Sequence, residues 1–497
     1  MTLLAAGLRF YRASDPLWLD ELHTAWIVDE SWDEISPRAA IGNQSPLFFY
    51  FVWFSTQWLG MHELAVRLPS IGFGTLLVAT VFVATYSWTT SSIAATLTSL
   101  LVAIDADCHF YAQEARPYVA VQLFGLVQVF SFSKLIDERP RDDTGLLGKR
   151  IGWRIAFVLS GTILFYLHYT AALLFGAYIL CFVILKCTRT ETPNCPWLNL
   201  VIDLAVIGLL IIPAYGHLWE IGGRADDWKA IVEFWPSPQM IRFVEVYLLT
   251  SLIGLGVGVL LGRCVKRRVV QPLPWTRTLL VACWLLAPAA IAWLVTILNV
   301  APLAMFRYVV VSALAPIFVA GLCCAAMDSV RWRLGFAGVL LTVALCTSST
   351  LYQWRQDGRL DNRRNENWPL VVERINQDDQ CRNWPIYVGS GLLEDHALSN
   401  APDGEFRQYC LFPVTSIYRI DTDKRTIEPF SLAGHTIQHP LPGFKHNIRK
   451  MGGAWIVMRT NQKFARALID WMTREVDGKS QEVFTSPSLN LFKIAGD

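Results

Sequence analysis

Ten long apolar runs, separated by shorter polar connections, constrain the fold of this chain more than any other feature. They lie at about 67–87, 91–105, 117–136, 152–167, 170–186, 198–218, 241–262, 277–298, 306–327 and 334–352. In lipid every backbone N–H and C=O must find its partner within the protein, so runs of this length and hydropathy read as spanning helices. The composition agrees, at 53% hydrophobic and 17% charged over 497 residues. This is an integral membrane protein rather than a soluble globule. The 20 Trp and 27 Phe suit extensive interfacial surface, where amphipathic rings settle. A net charge of +2 with no basic tract points away from nucleic acid. The 11 cysteines show no CxxC and no His/Cys metal spacing, which argues against a zinc site. Cys323-Cys324 lies in an apolar run and reads as packing.

Basic residues gather in alternate connections: Lys134 to Arg154, Lys186 to Arg189, Arg263 to Arg277, and Arg331 to Arg333. By the positive-inside rule these face the cytoplasm. The connections 12–66, 106–116, 168–169, 219–240 and 299–305, and everything after about 353, then face outward. The parity closes only if Pro46 to Gly60 does not cross. Those 15 residues reach about 22 Å as a helix, short of a hydrocarbon core of about 30 Å, and they are rich in aromatic rings. They suit a helix lying at the interface or re-entering. No cleavable signal peptide is evident. The first apolar run, Met1 to Phe10, is about half the length of a spanning helix, which points to an initiation codon upstream. The expected count is a truncated first helix plus ten others, about eleven in all, in a cell inner (plasma) membrane.

Around Trp354 the composition turns polar. Residues 354–497 carry short strand-like runs at Ile386 to Gly389, Leu411 to Ile420, Ala454 to Arg459 and Leu489 to Ile494. A helical pattern of Phe464, Leu468, Trp471 and Met472 lies between the last two. The reading is two domains, a transmembrane domain 1–353 and a small α/β domain 354–497 outside the cytoplasm. Cys381 and Cys410 are the only cysteines of the second, in a compartment where a disulfide would persist. If the flanking runs are neighbouring strands, the pair is placed to bond.

The outward connections hold the chemistry-bearing residues. Asp20-Glu21 is an acid pair beside the membrane, where charge is costly to keep without a use. Its bland reading is a helix cap. Arg67, Arg116 and Arg307 each sit where an outer loop meets a span, against the charge rule, and would otherwise snorkel or pair with Glu63 and Glu114. Beside them stand Gln113, Glu114, Tyr118, His168, Tyr169 and Tyr308 as candidate substrate-binding residues. The set fits transfer of a sugar linked through phosphate to a lipid. Arginines hold the phosphate and stabilise the charge left on it as its bond to the anomeric carbon breaks. A phosphate leaving group needs no proton, so one carboxylate suffices to activate an acceptor hydroxyl. Asp20 is the base in this reading, and Glu21 orients the acceptor or a divalent cation.

The segments LWLDELHTAW, SPLFFYFVWFSTQWLGMHELAVRLPSIGFG, FYAQEARPYVAV, FYLHYTAALL and MFRYVVVSALAPIF, in this order, resemble polytopic glycosyltransferases of the GT-C fold class. These use polyprenyl-phosphate sugars and include protein O-mannosyltransferases, lipid A aminoarabinose transferases and the bacterial family 39-type membrane proteins. The resemblance covers about residues 15–350 and extends weakly through Arg363 to Ile375. It implies that Asp20 is the catalytic base, that the helix after Pro46 belongs to the first outer loop, and that Arg116 and Arg307 help bind the donor. It also implies a polyprenyl-phosphate sugar donor and a cell-envelope acceptor that is a lipid, glycan or protein. One departure stands out. The family usually has paired prolines preceded by His or Lys where this chain has Gln44-Ser45-Pro46. The expectation is that Asp20 faces an outward cavity within reach of Arg116 and Arg307. A transporter or flippase would show inverted repeats and broken helices near the midplane, and the sequence shows neither. A polymerase or ligase of surface polysaccharide is a nearer rival, and a membrane scaffold the remaining one.

Overall fold

The computed structural model describes residues 1–137, 144–188, 197–223, 248–264, 269–347, 349–360, 366–391, 405–421, 425–430 and 443–496. Arg189, the basic residues 266–268, most of the connection 219–240 and Arg363 lie outside them. The chain divides into two compact units. The first comprises Met1–Ala13, Ile35–Phe51 and Arg67–Asp361; the second comprises Ser14–Glu34, Val52–Val66 and Asn362–Asp497.

The first unit is helical. Among the described residues, six helices are long and apolar enough to cross a membrane: Glu63–Thr89 (which begins in the second unit), Tyr118–Asp137, Arg150–Leu167, Tyr169–Thr188, Trp275–Ile297 and Val330–Thr347. Two bent pairs raise the number to eight, Ser92–Ile104 with Ala106–Gln113 at 60° and Trp197–Leu210 with Ile212–Gly223 at 42°. The apolar helices Thr250–Leu260 and Val310–Ala326 are shorter. The protein is thus a multi-pass helical membrane protein, whereas the count of eleven spans is not reached on length and composition. The three expected spans outside that number are the short helices Thr250–Leu260, Val310–Ala326 and Thr2–Phe10, and part of the run 241–262 lies outside the described residues; the two bent pairs are runs that look continuous in hydropathy. Asp105 interrupts the first bent pair and caps the helix after it, accepting from Cys108 N–H at 2.8 Å. Pro213, in the turn Ile212–Ala214, marks the second.

Helix Tyr118–Asp137 packs along Thr144–Leu167, Leu173–Thr188 along Trp275–Ile297, and Ser92–Ile104 against both Ala315–Ala326 and Val330–Thr347. Several polar groups inside this bundle are paired: Trp88 donates to Ser133 at 2.9 Å, Tyr178 to Gln128 at 3.2 Å, and Trp284 to the Val311 carbonyl at 2.7 Å. Such pairing offsets desolvation where water is excluded. Lys134 donates to Ser87 at 2.7 Å, Arg277 bonds Asp137 at 3.1 Å, and Arg154 grips the nearly buried Asp203 at 2.7 Å. A 20-residue helix is about 30 Å long, so the Asp137–Arg277 pair and Arg116 stand at opposite ends of Tyr118–Asp137.

The second unit is built on five strands, β1 (Ile386–Gly389), β2 (Ile427–Pro429), β3 (Gly453–Arg459), β4 (Lys479–Thr485) and β5 (Leu489–Ala495), in the order β2-β1-β3-β5-β4. β1 is parallel to both neighbours, and β5 is antiparallel to β3 and β4. The central strands IYVG and GAWIVMR are almost wholly buried, as strands covered on both faces must be. The edge strand KSQEVFT carries its charge outward and guards the edge. Helices Phe444–Met451 and Gln462–Glu475 supply Phe444, Ile448, Ala465, Leu468 and Met472 to the core with Ile456 and Phe492. Asn461 caps the second helix, accepting from Phe464 N–H at 2.9 Å.

Two expectations for this region are corrected. Leu411 to Ile420 is not a strand: helix Glu405–Phe412 runs into a π-helical turn over Pro413–Ile417. Tyr409, Cys410, Leu411, Phe412 and Val414 are all buried in that form, so tertiary burial overrides the apparent β-preference. Cys381 and Cys410 form no disulfide, and both are buried thiols. The bond was expected on the premise of adjacent strands, and Cys410 lies on a helix instead.

Candidate active site

The first unit gathers a cluster of predicted residues at one end of its helices. The chain bends sharply at Glu114–Pro117, with Arg116 N–H donating to Glu114 O at 2.7 Å and Ser70 Oγ to Arg116 O at 3.3 Å. Glu114, Arg116 and Tyr118 are buried. The ring of Tyr118 lies 5.0 Å from that of Tyr111 and 5.8 Å from His168, whose own ring is 5.8 Å from Tyr308. The Arg307 guanidinium lies over the Tyr308 ring at 5.2 Å. His168 itself follows the span Arg150–Leu167. Burial first, and then the positive charges of Arg307 and Arg116, hold its pKa down at about 3. The imidazole is therefore uncharged at neutral pH, with two guanidiniums close enough to bear on it. Arg116, Tyr118, His168, Arg307 and Tyr308 thus come together.

The remaining predicted residues of this unit bond to other parts of it. Arg67, fully buried, donates to Ala13 O at 2.8 Å. The Gln113 amide donates to Arg9 O and Tyr11 O, both at 2.8 Å, closing the end of helix Thr2–Phe10. Tyr169 Oη meets His217 Nδ1 at 3.0 Å, and His217 Nε2 lies 3.2 Å from Ser36 O. Arg9, Thr170 and His217 were not singled out in the sequence. Thr170 was the one within reach, two positions after His168 in the HYT triplet.

Asp20 and Glu21 belong to the second unit. They occupy the first turn of helix Leu19–Val28, where carboxylates are favoured by the helix dipole; Glu21 is buried and Asp20 half-buried. The C-terminal part of the same unit holds this segment. His23 Nδ1 stands 2.7 Å from Tyr409 Oη, and the Trp26 and Tyr409 rings are 4.4 Å apart. Tyr418 Oη accepts from Leu17 N–H at 2.8 Å and donates to Glu63 at 3.0 Å. Neither tyrosine carries a local sequence signal for this task. Among the described residues no three His, Cys, Asp or Glu side chains form a metal-ligand group.

No protein-family model matches the chain, and no curated protein matches it. Solved structures do. The chain superposes on apo ArnT from Cupriavidus metallidurans with a TM-score of 0.54 at 12% identity, over 99% of this chain and 97% of that one. The Archaeoglobus fulgidus oligosaccharyltransferase in its apo form gives 0.54 at 9% identity, over 92% and 68%. The fold is that of the GT-C glycosyltransferases. The GT-C likeness spans both units of the chain, so the C-terminal sheet falls within the matched region along with the helices.

Proposed function

We propose that the protein is a membrane glycosyltransferase that moves a sugar from a polyprenyl-phosphate donor to a hydroxyl of a cell-envelope acceptor, at the extracytoplasmic face. The observation that carries the reading is the cluster at one end of the bundle in which the Tyr118 and Tyr308 rings flank His168 and the Arg307 guanidinium lies over Tyr308, with Arg116 two residues before Tyr118. Guanidiniums gathered at one end of a helical membrane bundle suit a phosphate, whose oxygens accept bidentately from such groups. The fold adds support, since ArnT from Cupriavidus metallidurans has also been solved bound to undecaprenyl phosphate, with a TM-score of 0.51 to this chain.

In this reading Arg116 and Arg307 bind the donor phosphate and stabilise the charge that collects on it as the bond from the anomeric carbon to the phosphate oxygen breaks. The acceptor hydroxyl forms the new bond to that carbon and passes its proton to Asp20. Lipid phosphate leaves without a proton of its own. Tyr118 and Tyr308 flank His168, Glu114 belongs to the bend that presents Arg116, and Arg67, Gln113 and Tyr169 hold the surrounding segments through their own bonds. Glu21 steadies the base-bearing turn.

The test is sugar transfer by the full-length protein in proteoliposomes, supplied with a panel of polyprenyl-phosphate sugars and envelope acceptors. Transfer that falls by about 10²-fold or more in Asp20→Asn, and in Arg116→Gln, is the expected outcome. Absence of transfer across the panel by the unaltered protein, or undiminished transfer by both variants, refutes the assignment.

A further inference from the structure

Within the first unit, Thr170 decides which nitrogen of His168 carries the proton. Thr170 Oγ1 lies 2.7 Å from His168 Nδ1 and 3.1 Å from the carbonyl oxygen of Tyr308. A carbonyl only accepts, and a threonine has one proton to give. Both bonds are made in a single way: Thr170 donates to Tyr308 O and accepts from His168 Nδ1–H. The neutral ring then keeps its lone pair on Nε2. Among the described residues no group donates to that atom, and it is not one of the side-chain nitrogens sealed inside the protein. The ring is half-buried, flanked by Tyr118 and Tyr308. An imidazole is thus fixed through Nδ1 with an open acceptor at Nε2.

What could satisfy that acceptor narrows the ligand. A sugar–phosphate–lipid diester has no O–H on its phosphate, and the ring oxygen of a sugar only accepts. Hydroxyls are the remaining donors on an unsubstituted sugar, and an amino sugar adds N–H groups. With the phosphate on Arg116 and Arg307, and the Arg307 guanidinium 5.2 Å from the Tyr308 ring that flanks His168, the hydroxyl nearest the phosphate is the one on the carbon next to the anomeric centre. We propose that His168 Nε2 accepts a hydrogen bond from this hydroxyl and is thereby a specificity-determining residue for the donor sugar. The proposal rests on the glycosyl-transfer reading and adds what the site requires of the sugar. A donor lacking that hydroxyl leaves the acceptor unmet, which costs binding in the transition state. Thr170 acts as a positioning residue, because it sets the tautomer without touching the ligand.

The test compares a polyprenyl-phosphate hexose with its 2-deoxy analogue in the proteoliposome assay, for the unaltered protein, His168→Asn and His168→Gln. An asparagine amide keeps a donor toward Thr170 and has nothing at the Nε2 position, whereas a glutamine reaches that position with an acceptor oxygen. The unaltered protein should favour the 2-hydroxy donor by roughly 10- to 100-fold in kcat/KM. His168→Asn should lose that preference, and His168→Gln should keep part of it. Binding of undecaprenyl phosphate alone, which has no sugar, should be the same in all three. Equal use of both donors by the unaltered protein, or a preference that survives in His168→Asn, overturns the proposal while leaving transfer itself standing. Failure to transfer from any donor in the panel sinks the glycosyl-transfer reading and this inference with it.

Discussion

Asp20 is the residue on which the proposed chemistry turns, and its setting is compatible with a charged base. It lies half-buried in the first turn of helix Leu19–Val28, where the exposed ends of the N–H dipoles favour a carboxylate. Asparagine fits the same volume and is at home in that turn, so Asp20→Asn should fold and insert as before while transfer falls by about 10²-fold or more. An unchanged melting temperature with lost transfer would separate chemistry from scaffolding; unimpaired transfer would remove Asp20 from the mechanism. His168 gives a second prediction, on pH. Its folded pKa of about 3 lies below the ordinary histidine value of about 6.5, so an unfolded chain binds a proton that the native one refuses. That penalty is absent above about pH 6.5 and grows as pH falls toward 3. Melting temperatures measured between pH 4 and 7 should therefore fall less steeply for His168→Asn than for the unaltered protein. Parallel curves would contradict the uncharged imidazole.

At the scale of elements, close helix contacts explain features that composition does not. A Cβ placed on Gly74 would meet the Ala112 Cβ at 2.5 Å and Arg9 Nε at 2.8 Å. The fully buried Arg9 side chain therefore lies where Glu63–Thr89 and Ala106–Gln113 come together. Gly74→Ala should force those helices apart and destabilise the bundle by about 1–3 kcal/mol. Thermal unfolding in detergent measures this, and a variant as stable as the parent would disprove the tight contact. The spanning helices were legible in the sequence because hydropathy is a local and cumulative signal over some 20 residues. The breaks within them depend on single residues, such as Asp105 and Pro213, and were passed over. The same locality explains the strands. Ile386–Gly389 and Gly453–Arg459 are continuous apolar runs and were read correctly. Ile427–Pro429 has three residues, one of them a proline, and carries no pattern to read. Leu411 to Ile420 misled because β-branched residues in a short apolar run look alike in a strand and in a buried helical turn.

At the scale of the whole chain, residue type announced most of the candidate site, while its supports came from far along the sequence. Arginines at outer loop ends and paired acids are conspicuous against an apolar background. Tyr409 and Tyr418 are not, yet they hold segment 14–34 across separations of 386 and 401 residues, through His23 and Leu17. No local pattern encodes such a contact. Charge distribution, by contrast, is a global signal, and it supplies the last prediction. In the first unit Lys134, Arg154 and Arg277 sit at the helix ends remote from Arg116 and His168. The positive-inside rule places the former end in the cytoplasm. Alkaline phosphatase, active only outside the cytoplasm, should then be inactive when fused after Arg333 and active when fused after Asp497. Arg333 lies at the start of Val330–Thr347, and that helix would carry the chain across once more before the C-terminal sheet. The opposite pattern would put Arg116, His168 and Arg307 at the cytoplasmic face. A lipid-linked donor would then have to present its sugar on the side where the basic connections are now placed.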